Sequence, residues 1–109
     1  MAKKLFDKKC VERIGVKSMV KEDIDKYLSQ LKNQWEVIEE KKINYTFKFK
    51  TFKEAISFIN KVADLAESEN HHPNIHILYN KIKIVLSTHS VGGLSENDFI
   101  LAAKIEKIV

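Results

Sequence analysis

Apolar residues fall in a pattern that switches period several times along the chain. From about Val20 to Lys32, Ile24, Tyr27, Leu28 and Leu31 recur at helical spacing, which predicts an amphipathic helix. Acidic residues crowd its first turn, and Lys32 closes its last, as the helix dipole favours. Trp35 to Glu39 reads as a short strand and Glu40-Lys41 as a turn. Ile43, Tyr45, Phe47 and Phe49 then alternate with Asn44, Thr46 and Lys48, a half-buried strand with one aromatic face. Thr51 with Glu54 three residues on is a capping-box signature. The helix it opens runs to about Glu69 or Asn70, with a predicted buried stripe of Phe52, Ala55, Ile56, Ile59, Val62, Ala63 and Ala66. Pro73 disfavours helix at His72 and turns the chain.

A second pair of strands follows. Ile75, Ile77 and Tyr79 alternate with polar and apolar neighbours, Asn80-Lys81 predicts a tight turn, and Ile82, Ile84 and Leu86 alternate with Lys83 and Val85. Ser95 with Asp98 caps a final helix that buries some of Phe99, Leu101, Ala102, Ile105 and Ile108. The order is helix, two strands, helix, two strands, helix. It predicts an α+β two-layer fold, a four-stranded antiparallel sheet with helices packed on one face. Residues 1–109 are expected to form a single domain, with 1–19 as an irregular lead-in mobile at its start.

Composition narrows the class. With 44% hydrophobic and 31% charged residues, one Pro and three Gly, the chain reads as globular rather than disordered. No apolar run approaches a membrane span and no signal-peptide core is visible, so a cytoplasmic location is expected. The single Cys10 forms no internal disulfide and is expected to be a free surface thiol. The net charge of +4 is spread along the chain, which fits a solvated surface better than a nucleic-acid footprint.

Histidine carries the chemistry. His71 and His72 emerge where a helix stops, and His89 follows a strand. Three readings are open. The histidines are plain surface groups at helix ends. Alternatively His72 and His76, four apart, hold a metal, although Pro73 breaks the helix that such spacing needs. Or His89 faces His71 and His72 across a shallow cleft, and imidazoles divide acid and base roles.

The spacing around them is specific. Glu67-x-x-x-His71-His72-Pro73, then five residues to Tyr79, nine to His89 and eight to Asp98, resembles the signature of the pterin-4a-carbinolamine dehydratases. Trp35, Phe47-x-Phe49-x-x-Phe52, Ala55, Phe58, Val62-Ala63, Tyr79-Asn80-Lys81, Leu86 to His89 and Gly93-Leu94-Ser95 also resemble family positions, over roughly residues 20–108. The resemblance implies dehydration of a 4a-hydroxytetrahydropterin to the quinonoid dihydropterin in tetrahydrobiopterin recycling, with no metal or organic cofactor. It implies a homodimer or homotetramer, joined through sheets or helices. It implies His71 and His89 as general acid and base, and His72 as the group that orients the pterin. Asn70, Ser87 and Thr88 line the pocket, and Glu67 and Asp98 match the signature acids, Asp98 also fitting a capping role. Tyr79 and Trp35 are expected in the core. Asn70 stands where animal members carry Asp, and Ile75 where many carry Trp. Two alternatives accompany this reading: a non-catalytic binding module of the transcriptional-coactivator kind, suggested by surplus apolar positions in the last helix, and a dehydratase-like protein of another pterin pathway such as molybdopterin metabolism.

Overall fold

The computed structural model describes residues 4–109. The expected mobility at the very start falls on residues 1–3, outside the described residues. Three helices and four strands follow the predicted order: α1 (Lys21–Leu28), β1 (Glu36–Ile38), β2 (Lys42–Lys48), α2 (Phe52–Glu69), β3 (Asn74–Leu78), β4 (Lys81–Leu86) and α3 (Glu96–Ile108). Short 3-10 turns cover Leu5–Asp7 and His89–Val91.

The strands form one antiparallel sheet in the order β1-β2-β4-β3. Register places like with like on one face. Ile43 lies opposite Leu86, Tyr45 opposite Ile84 and Phe47 opposite Ile82, while β3 sets Ile75 and Ile77 against Ile84 and Ile82. Ile43, Ile82, Ile84 and Leu86 are fully buried beneath the helices. Cross-strand apolar pairs of this kind specify register, because a one-residue slip would turn the whole set to the other face.

The helix ends show what the pattern alone does not fix. α1 stops at Leu28, short of the predicted Leu31 and Lys32, because Glu106 of α3 accepts the N–H groups of Lys32 and Asn33 at 2.9 and 2.7 Å and the Trp35 indole N–H at 2.9 Å. Leu31 still reaches the core, carried in by a turn rather than by helix, and Trp35 is buried as expected. α2 is capped by Thr51, whose hydroxyl accepts the Glu54 N–H. Its buried face is Ala55, Phe58, Val62, Ala66 and Glu69. Phe52 and Ala63 are exposed, so the predicted stripe is rotated toward Phe58.

Both hairpin turns start one residue earlier than predicted. Glu39, Glu40 and Lys41 occupy the first, with Glu39 and Glu40 at positive φ, and Tyr79 and Asn80 the second. Tight hairpins need left-handed backbone to match strand twist, and the strand pairing imposes it here on residues that do not favour it. Tyr79 is consequently 69% exposed rather than in the core, its ring stacked on Phe52. α3 is buried almost all round. Phe99 to Ala103 are consecutive core residues, enclosed by the Leu5–Asp7 turn, α1 and α2 as well as the sheet side. Its surplus apolar positions are therefore used within the chain.

The lead-in is irregular but tied down. Leu5 joins the core, and the segment from Lys8 to Arg13 is hydrogen-bonded to α2 and α3.

Candidate active site

Helix α2 ends at Asn70, which takes the left-handed conformation (φ 50°, ψ 40°). Asparagine tolerates that geometry better than most residues, so Asn70 suits the helix end. The reversal lets the His71 N–H bond back to the Ala66 carbonyl. It also brings the His71 ring onto the start of α3.

There, His71 Nε2 lies 2.7 Å from Asp98 Oδ1. Asp98 is fully buried and belongs to the capping box of α3, its Oδ2 accepting the Ser95 N–H at 3.0 Å. The same Oδ2 accepts the Thr88 hydroxyl at 2.8 Å. That hydroxyl spends its single hydrogen on Asp98, so the Ser95 hydroxyl, 2.7 Å away, donates to Thr88. An ionised Asp98 accepts on both oxygens, and His71 then donates to it through Nε2. The tautomer follows from this network: Nδ1 of His71 is left to accept a proton. Asp98 caps the helix and orients the histidine at once.

Thr88 is fixed by a short loop. Its backbone pairs with Gly93, the 3-10 turn runs from His89 to Val91, and Gly92 takes a left-handed conformation. The loop turns Thr88 inward and leaves His89 exposed. A cavity of about 470 Å³ is lined by Asn70, His71, Thr88 and Ser90 together with Cys10 to Arg13 of the lead-in. A smaller depression of about 180 Å³ is lined by Ser87, Thr88, His89, Gly92, Gly93, Lys41 and Lys42. Thr88 is common to both. His72 is more than half exposed and pairs with Glu67 across the last turn of α2; neither lines either cavity. The structure therefore sets His71, Thr88 and Asn70 at one cavity with the buried Asp98 bonded to His71 and Thr88, sets Ser87 and His89 at the adjoining one, and leaves His72 and Glu67 outside both. His76 is exposed on β3, opposite Lys83. Among the described residues no three His, Cys, Asp or Glu side chains are grouped to hold an ion. A larger cavity of about 650 Å³ lies elsewhere, against Leu5, Phe6, Leu31 and Lys107, and contains no histidine. Chemistry rather than volume distinguishes the His71 cavity.

Several neighbours were invisible to sequence pattern. Glu69 is buried, accepting the Cys10 N–H at 2.8 Å and pairing with Lys104 at 2.7 Å. Burial by itself would raise its carboxyl, but the Lys104 ammonium and the Cys10 N–H outweigh it and hold the group below the usual carboxylate range. Glu96 is likewise held low: burial works against it, and Lys8 and the Tyr27 hydroxyl prevail. Cys10 is partly buried rather than a surface thiol, and burial followed by the charge of Glu69 pushes it up to about 12. A thiol so raised is no nucleophile at neutral pH. The one available signal for Glu69 was its place, i+7 from Val62 on the buried face of α2. Nothing in the pattern pointed to the lead-in wall.

The family model for "Pterin 4 alpha carbinolamine dehydratase" matches residues 17–108. A protein of Alkaliphilus metalliredigens named "Putative pterin-4-alpha-carbinolamine dehydratase" is 44% identical over 104 residues, covering 94% of each chain. A protein of the same name from Rickettsia canadensis is 46% identical over 103 residues, again covering 94% of each. A crystal structure from Brucella melitensis named as a transcriptional coactivator/pterin dehydratase superposes with a TM-score of 0.77 at 32% identity, covering 83% of this chain and 96% of that one.

Proposed function

Because this chain belongs to the pterin 4 alpha carbinolamine dehydratase family, we propose that it dehydrates a 4a-hydroxytetrahydropterin to the quinonoid dihydropterin at the His71 cavity, within the cytoplasm and in service of pterin recycling. The observation that carries this reading is the largely buried His71, held by the fully buried Asp98, at a cavity of ligand size.

The reaction needs two proton movements and no nucleophile. An acid protonates the 4a-hydroxyl, which leaves as water. A base takes the proton from nitrogen 5, and that electron pair closes the double bond to carbon 4a. His71 and His89 are assigned these two roles. His71 is suited to either: with Nε2–H given to Asp98, its Nδ1 accepts a proton, and the imidazolium so formed is stabilised by the carboxylate and can return the proton. Thr88, between the two cavities, couples the loop that carries His89 to the carboxylate that orients His71. His72, paired with Glu67 outside the two cavities, is assigned the orienting role, and Asn70 and Ser87 the recognition of the ring.

The test generates the 4a-hydroxytetrahydropterin with a separate hydroxylase and follows quinonoid dihydropterin by absorbance. The parent protein accelerates the step. Removing His71 and His89 together, as His71→Ala with His89→Ala, lowers turnover by roughly 10²- to 10⁴-fold, the usual yield of general acid–base groups. No acceleration by folded parent protein, or an undiminished double variant, defeats the proposal.

A further inference from the structure

The lead-in places one apolar side chain in the candidate active site. Val11, Ile14 and Val16 are all substantially exposed, but of the three only Val11 lines the His71 cavity. Its backbone is held in both directions by the buried side chain of Asn97. The Val11 N–H donates to Asn97 Oδ1 at 3.1 Å, and Asn97 Nδ2 donates to the Val11 carbonyl at 2.7 Å. Bonds on either side secure the flanks: the Cys10 N–H to Glu69, the Arg13 Nε–H to Asn97 Oδ1 at 3.2 Å, and the Ser90 hydroxyl to the Arg13 carbonyl at 2.8 Å. Every anchor sits beside a candidate site residue in sequence: Glu69 before Asn70 and His71, Ser90 after His89, Asn97 before Asp98.

Core burial does not account for this arrangement, since the Val11 side chain is 54% exposed. An ordered backbone presenting an exposed apolar group into a cavity is arranged for a ligand with a flat apolar face. We propose, resting on the dehydratase reading above, that Val11 is a substrate-contacting residue and Asn97 the positioning residue that holds it. The bicyclic ring packs on the Val11 isopropyl group while its reacting edge meets His71. Methyl groups move no protons, so this contact acts on ground state and transition state alike. It lowers KM and leaves kcat alone.

The experiment titrates the protein with oxidised biopterin, a fluorescent and unreactive pterin, and measures KM and kcat for dehydration in parallel. Val11→Ser keeps the backbone bonds and removes the apolar surface. It is expected to raise Kd and KM by roughly five- to tenfold with kcat within about twofold, as loss of one to two buried methyl groups predicts. Val11→Ile, which keeps the apolar face, retains parental affinity. Asn97→Ala raises KM in the same direction and speeds hydrogen exchange at the Val11 amide. Unchanged Kd and KM in Val11→Ser, or a loss confined to kcat, overturns the inference while the parent's activity still supports the dehydratase reading. A folded parent that neither binds biopterin nor dehydrates the carbinolamine defeats that reading first, and this inference with it.

Discussion

At the scale of single residues, the molecule repeatedly makes one group serve two ends. Asp98 is a helix cap and the partner of His71; Asn70 is a helix end and part of the cavity wall. Gly93 shows the same economy in the loop that positions Thr88. Its backbone pairs with Thr88, and a Cβ there would lie 2.8 Å from Ser18 Cβ and 3.8 Å from the Lys41 Cα. Gly93→Ala is therefore expected to destabilise the fold by about 1–3 kcal/mol, the usual cost of overpacking. Urea unfolding checks this, and a midpoint equal to the parent's would show that the loop yields freely. Sequence made Asp98 visible twice, through the capping box and through its spacing from His89. It could not show Tyr79 leaving the core. That exposure comes from a left-handed turn position that sheet pairing assigns, and no local preference of tyrosine announces it.

At the scale of elements, the strands and the two capped helices were legible because period and cap coincide in short stretches of chain. The end of α1 and the path of the lead-in were not, because both are set by acids more than 50 residues away, Glu106 for the first and Glu69 and Glu96 for the second. The lead-in's attachment has a pH consequence. Glu69 and Glu96 are both held below their unfolded value of 4.5. A carboxyl depressed in the folded state contributes stability that is complete above the unfolded value and is lost as pH falls through the folded one. Acidification below about 4.5 is thus expected to loosen residues 8–13 and lower the melting temperature, with Glu69→Gln less dependent on pH over that window. Melting curves between pH 6 and 3 read this directly. A parent curve flat across that range would mean that the two acids do not hold the segment.

For the molecule as a whole, the sheet and α3 form a buried frame on which two loops and the lead-in converge. The fold class was readable from element order alone. Family spacing named His71 and Asp98 each as candidates, but not their contact with one another. The convergence itself was not readable either, since hydrogen bonds linking residues 10–13 with residues 69, 90 and 97 leave no periodic trace. Among the described residues no helix is long and apolar enough to cross a membrane. Exposed apolar side chains lie at Phe52, Ile77, Leu78 and Tyr79 and also at Val11, Ile14, Val16, Val20 and Val109. On the proposed function, the frame makes His71 and Asp98 act as one unit on a pterin carbinolamine. The most direct test of that coupling is a double-mutant cycle on kcat/KM for dehydration, with parent, His71→Ala, Asp98→Asn and the double variant. Asp98→Asn keeps the shape of the cap and removes the charge behind the histidine. We expect His71→Ala to cost roughly 10²-fold or more, Asp98→Asn a substantial part of that, and the double variant little beyond His71→Ala. Costs that simply multiply in the double variant, or an Asp98→Asn protein as active as the parent, would contradict the account.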